Sequence, residues 1–310
     1  MDRMLNVVGV VAPVLVALII GYIIKKKNIL SAEGIFSIKK LVLNVTLPAV
    51  LFNAYLTIDY NTQALIVFIT VFCATALALA AGVLIRKLFK YRREYFPYLL
   101  TTFEVGMIGY ALYTMLFGAE NLSSVAIVDL GQVTFVFTAY MTILNYKGTG
   151  KTGNPLLTMF KSPVFIAIFA GVILGVTGLN KVITGTEAGG LLVKTIGFIG
   201  APTSAAIMIV IGYELNLSKH NLKSAATACL SRLAMMGAFC AFVLLVLPLF
   251  MMVSPYLKWA IILVFSLPPV YVLPIFVKDE KENEYISTTI SVYTLVTIVL
   301  FIIIAIAATN

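Results

Sequence analysis

A glutamate interrupts an otherwise apolar stretch that reads Thr101, Thr102, Phe103, Glu104, Val105, Gly106, Met107, Ile108, Gly109, Tyr110. It lies about eight residues into that stretch, roughly 12 Å deep if the stretch is helical in a bilayer. An ionisable group at such depth is costly unless it is paired or faces water, which makes it a functional candidate. Gly106 and Gly109 follow at once, and glycine lets a backbone unwind or another chain approach closely. A second carboxylate, Asp129, comes three residues before Gln132 in the next stretch. Entered from the opposite side, it lies about 10 Å deep. Two carboxylates removed from bulk water can bind and release a proton near neutral pH, or hold Na⁺ together with backbone carbonyls. For Asp129 a hydrogen-bonded contact between helices is the structural alternative.

A later stretch carries the opposite irregularity. Pro268, Pro269 and Pro274 fall within nine residues that begin at Ser266, and each proline removes an N–H donor from a helix. Two interrupted helices at corresponding positions of two related halves are the sequence pointer to a transporter's binding site. Kinks and packing points are the plainer reading of such prolines and glycines. Asn44 one turn before Pro48, and Thr203 after Pro202, add polar groups at two further proline positions. Arg232 lies six to eight residues inside its stretch. It is a possible charge partner for Glu104 or Asp129, an anion ligand through its planar fork, or a snorkelling side chain. His220 falls in a basic gap and is read as solvated. Cys73, Cys229 and Cys240 lie in apolar segments at unrelated spacings, as buried small hydrophobes do. Gly150, Lys151 and Thr152 resemble the end of a P-loop, but Asn145 stands where its first glycine belongs.

The elements that must position these residues are ten apolar stretches, at about 5–24, 37–56, 63–85, 96–118, 122–145, 156–177, 189–213, 225–249, 256–277 and 285–308. Pro13 to Gly21 in the first is echoed by Pro163 to Gly171 in the sixth. Lys40 to Pro48 in the second is echoed by Lys194 to Pro202 in the seventh. A repeated half with five spans must sit upside down, which predicts two inverted repeats, 1–146 and 155–310, joined by a cytoplasmic linker at 147–154. Hydrophobic residues make up 61% of the chain and charged ones 11%, far from the soluble average. Ten spans leave no room for a soluble catalytic domain. The run after Arg3 ends in Lys25, Lys26 and Lys27 rather than a cleavage site, and reads as a span and not a signal peptide.

Basic residues concentrate in alternate gaps, as in Arg86, Lys87, Lys90, Arg92 and Arg93, or Lys147, Lys151 and Lys161. The gaps between carry little, with Lys181 and Lys258 standing alone. The positive-inside rule then puts both termini outside, against the minor vote of Arg3. The net charge of +9 is a topology signal, and no nucleic-acid partner is expected.

The run from Leu41 through Asn44 and Pro48 to Phe52, entered from a basic gap, resembles the second span of the auxin efflux carrier family of permeases. The glycine-rich fourth span, the Pro202 segment ending at Ile211, Gly212, Tyr213, Glu214 and Leu215, and the proline-rich ninth span follow in that family's order. The chain looks like the short prokaryotic branch, whose members are described as malate or other organic-acid permeases. The resemblance implies an all-α integral membrane fold of ten helices as an inverted five-plus-five repeat, with the fourth and ninth broken and crossing. It implies transport of small carboxylate-bearing anions, with pairing into homodimers in some relatives. The chain departs from the family in carrying Gly109, Tyr110 and Ala111 where a proline often marks the crossing, and Glu104 where a neutral amide is common.

These residues predict a secondary transporter of the cell inner membrane, working by alternating access. Its substrate site would draw on Asn44, Pro48, Gly106, Gly109, Tyr110, Pro202, Thr203, Pro268 and Pro269, with helix N-termini offered to a carboxylate. Glu104, Asp129 and Gln132 would couple H⁺ or Na⁺. A cation–proton antiporter, a sodium symporter or a non-transporting membrane sensor are the alternatives. No cofactor, metal or catalytic set is expected, and the bilayer and a small molecule are the expected partners.

Overall fold

The computed structural model describes residues 2–149, 162–215 and 220–308, and these are helical with no strand. The linker at 147–154 and the start of the sixth stretch fall mostly outside them, as do Lys151, Lys161 and Lys219. Among the described residues, seven helices are long and apolar enough to cross a membrane. They are α1 (Asp2–Lys26), α2 (Ala32–Leu56), α3 (Thr62–Leu88), α5 (Ala119–Leu144), α7 (Glu187–Glu214), α8 (Leu222–Leu249) and α10 (Glu280–Ala308). Three shorter apolar helices stand between them: α4 (Val105–Phe117), α6 (Pro163–Val176) and α9 (Pro255–Ser266). Large apolar side chains such as Phe198, 82% exposed, cover the outside, as befits a surface that meets lipid.

Local sequence explains the helix starts. Ser31, Asn61, Thr186 and Ser254 cap α2, α3, α7 and α9, their side chains accepting from the amides of Gly34, Ala64, Gly189 and Leu257. Each satisfies a first-turn N–H that has no partner within its helix. Pro255 then occupies the first turn of α9, where its missing N–H costs nothing.

The stretches at 96–118 and 256–277 are not continuous helices. After a short turn at Phe96–Leu99 the chain runs non-helically through Phe103 and Glu104 before α4 begins. α9 stops at Ser266, and a single 3₁₀ turn at Leu273–Phe276 follows an irregular passage. Pro268, Pro269 and Pro274 account for that interruption. The other prolines act more mildly. α1 runs through Pro13. α7 is stepped at Ala201 and Pro202, between Glu187–Gly200 and Thr203–Glu214. α2 widens to a π turn at Val42–Thr46 just before Pro48, with the Leu47 amide donating to the Val42 carbonyl.

Close helix contacts fix the frame. α1 packs on the Thr203–Glu214 part of α7, and α6 packs on the Leu47–Leu56 part of α2. At the first contact, a Cβ on Gly21 would fall 2.0 Å from the Ile209 carbonyl oxygen, and one on Gly212 would fall 2.1 Å from that of Leu18. At the second, a Cβ on Gly171 would fall 2.9 Å from that of Tyr55. Small residues at such crossings let helix backbones touch where lipid supplies no hydrophobic drive for association.

Candidate functional site

The two interruptions meet. The Glu104 amide donates to the Pro268 carbonyl at 2.8 Å. The Glu104 side chain accepts from the amide of Met107 (3.2 Å) in its own segment and from the amide of Tyr271 (2.7 Å) in the other. It is the N-cap of α4 as well as the acceptor of a free amide from the second break. A carboxylate at a helix N-terminus is favoured by the unsatisfied N–H groups and the helix dipole. Gly109 allows the close approach behind it, since a Cβ there would fall 2.7 Å from Leu267 Cδ1.

Asp129 is held differently. It is 3% exposed, and one carboxylate oxygen accepts from the hydroxyls of Tyr55 (2.8 Å) and Tyr110 (3.2 Å). The other accepts from the Gln132 amide nitrogen at 2.8 Å. The Gln132 Oε1 is buried and has no hydrogen-bond partner. Glu104, Gly106, Asp129 and Gln132 line a single cavity of about 320 Å³, together with Lys39, Phe103 and Tyr271.

Three π turns border this cavity, at Val42–Thr46, Val105–Gly109 and Val136–Tyr140. Leu43, Met107 and Phe137 line it from them in turn. Such turns recur at functional sites because they leave backbone groups out of the regular ladder.

Family comparison decides what kind of molecule carries this cavity. A family described as "Membrane transport protein" matches residues 6–307. The chain belongs to that family. The resemblance to auxin efflux carriers is thereby borne out, and the protein is a multi-pass membrane transporter rather than an enzyme. It is similar to an uncharacterized transporter of Methanothermobacter thermautotrophicus, 26% identical over 224 residues, covering 69% of this chain and 70% of the relative. An uncharacterized transporter of Methanocaldococcus jannaschii is 27% identical over 231 residues, with the same two coverages.

In this transporter the sequence-derived site residues separate into three groups. Glu104, Gly106, Asp129 and Gln132 stand on the cavity wall. Gly109, Tyr110 and Pro268 stand behind it, through the contacts given above, and Pro269 is buried beside Pro268. Pro48 follows Leu47, a wall residue, without lining the cavity itself. The third group lies elsewhere. Asn44 is exposed, donates to the Lys40 carbonyl of its own helix, and lines an outer groove with Phe52 and Pro163. Pro202 is exposed, and Thr203 is buried away from the cavity. Helical phase decides this: α2 and α7 present apolar residues on all sides, so spacing alone does not tell which face turns inward.

Arg232 pairs with neither carboxylate. It is 1% exposed, and its guanidinium donates to the carbonyls of Leu99 (2.8 Å), Thr102 (2.5 Å) and Leu267 (2.8 Å). Its Cζ also lies 5.0 Å from the centre of the Tyr293 ring. These carbonyls close the turn before one break and the end of α9, where helix termini leave acceptors without donors. The arginine ties both breaks together from behind.

Residues overlooked in the sequence are Tyr55, Tyr271, Lys39 and Glu214. The Lys39 ammonium contacts both carboxylate oxygens of Glu214, at 2.7 and 2.9 Å. The two lie 175 positions apart, so no spacing signal joins them. Lys39 reads in sequence as one of many basic topology residues. Among the described residues no group of three or more His, Cys, Asp or Glu side chains could hold a metal ion.

Proposed function

We propose that this transporter is a secondary carrier for a small carboxylate-bearing compound, working by alternating access. H⁺ or Na⁺ taken up at Glu104, Asp129 and Gln132 would drive it. The observation that carries this reading is the single cavity where both carboxylates, the unpartnered Gln132 Oε1 and the two helix breaks come together. Glu104 occupies the amides of Met107 and Tyr271, the donors that a bound anion would otherwise use. A fixed negative group there suits a coupling cation, and the substrate carboxylate takes a different anchor.

The reciprocal packing of α1 on α7 and of α6 on α2 supports an inverted five-plus-five repeat. In such a repeat the first helix of each half meets the second helix of the other. On this reading ten segments cross the membrane, the repeats are 1–146 and 155–310, the linker 147–154 is cytoplasmic, and both termini face outward. The host membrane is the cell inner membrane, and the first, second, sixth and seventh segments form the scaffold or the moving partner about the crossing of the fourth and ninth.

A cation–proton antiporter or sodium symporter is the second reading, favoured by Lys39, the cation on the cavity wall, being already paired with Glu214. The test is uptake of labelled malate and other small carboxylates into proteoliposomes under imposed pH and Na⁺ gradients. Carboxylate uptake accelerated by one gradient supports the first reading. Gradient-driven cation flux without carboxylate movement supports the second, and no flux of either kind points to a sensor.

A further inference from the structure

We infer that Lys39 is the receptor for the substrate's carboxylate, and that Glu214 is the internal carboxylate which the substrate displaces from it. The inference rests on the carboxylate-substrate reading above. Lys39 lines the cavity that holds Glu104 and Asp129, and it also lines a neighbouring vestibule of about 320 Å³. Tyr271 is shared by both spaces in the same way. The vestibule wall adds Glu214, Ser287 and Thr294, with Glu214 its acid. A carboxylate entering there meets one ammonium ion and several hydroxyls.

The occupant of that ammonium is replaceable. The side chains of Lys39 and Glu214 are 25% and 40% exposed, and a solvated ion pair of this kind contributes little to stability. An incoming carboxylate offers Lys39 the chemistry that Glu214 offers, so exchange strands no charge in a dry site. Arg232 has no such freedom, being sealed and committed to three carbonyls. Lys25, the neighbouring cation at this end of α7, donates to the Leu215 carbonyl.

The exchange also has a mechanical consequence. Lys39 belongs to α2 and Glu214 ends α7, so the pair fastens one helix to the other. Loading substrate onto Lys39 unfastens them at the moment the cavity is filled. Tyr271 then links the two sites, since its amide holds Glu104 while its hydroxyl bonds to Thr294 of the vestibule at 3.0 Å.

The experiment compares malate uptake kinetics of wild type, Lys39→Gln, Glu214→Gln and the double variant in proteoliposomes, with malate titration of the detergent-solubilised proteins as a second readout. Removing the competitor in Glu214→Gln is expected to lower KM several-fold, and removing the receptor in Lys39→Gln to raise it about tenfold or more. The double variant should follow Lys39→Gln, and Lys39→Arg should restore most of the affinity. A simple latch predicts that both single variants move in the same direction, and that result overturns the inference while leaving carboxylate transport intact. Unchanged KM in Lys39→Gln also overturns it. Absence of malate and other carboxylate uptake by wild type defeats the substrate reading and the inference together.

Discussion

Arg232 and the pair Glu104–Asp129 are ionisable groups placed deep in apolar segments, and the molecule treats them in opposite ways. Arg232 sits behind the crossing, sealed from the cavity, with its donors spent on the carbonyls of Leu99, Thr102 and Leu267. Glu104 and Asp129 stand on the cavity wall, beside an unused acceptor on Gln132. Depth in the membrane therefore does not by itself mark a working residue. What distinguishes the two regions is whether the charged group completes the backbone's own hydrogen bonding or faces space that a ligand can enter.

The largest expected effect lies on the structural side. Arg232→Ala leaves three buried carbonyls without donors, at about 1–3 kcal/mol each. Thermal unfolding in detergent should show a Tm lower by about 10 °C or more, with Arg232→Lys intermediate. A variant that keeps the wild-type Tm and loses only transport would erase the distinction drawn here.

On the cavity side the pattern reverses. Asp129→Asn preserves shape and the tyrosine contacts, so its Tm should stay close to wild type. Gradient-driven uptake should fall by more than about tenfold, through loss of the charge that a coupling ion needs. A smaller effect is expected from Tyr55→Phe, which removes one of three donors to Asp129 and leaves Tyr110 and Gln132 in place. Uptake should drop about three- to tenfold, the net worth of an ordinary hydrogen bond, because two donors still hold the carboxylate, with little change in Tm. Measuring uptake and Tm on the same preparations separates the two regions.

Much of this contrast was legible in the sequence. Carboxylates and a glutamine inside apolar stretches stand out because the surroundings are so uniform, Pro268, Pro269 and Pro274 mark where a helix cannot continue, and Gly106 and Gly109 lie just past the other break, within the first turns of α4. The interrupted segments and the carboxylate wall follow from those residues. The role of Arg232 did not follow, because its partners are backbone carbonyls, which every residue carries. The Lys39–Glu214 pair was hidden by its separation along the chain, and the π turns have no side-chain signature. Asn44 was assigned to the site by its proximity to Pro48, yet it faces outward, since apolar residues on every side of that part of α2 give no phase from which to read its inner face.

The most direct test of the central claim is malate uptake under imposed pH and Na⁺ gradients, comparing wild type with Glu104→Gln. The amide keeps one acceptor oxygen, enough for the Met107 or the Tyr271 amide but not both, and removes the charge. The account predicts a folded variant whose uptake no longer responds to the gradient that drives the wild type. Uptake with the same gradient response in both proteins would contradict it and leave Glu104 as no more than the cap of α4.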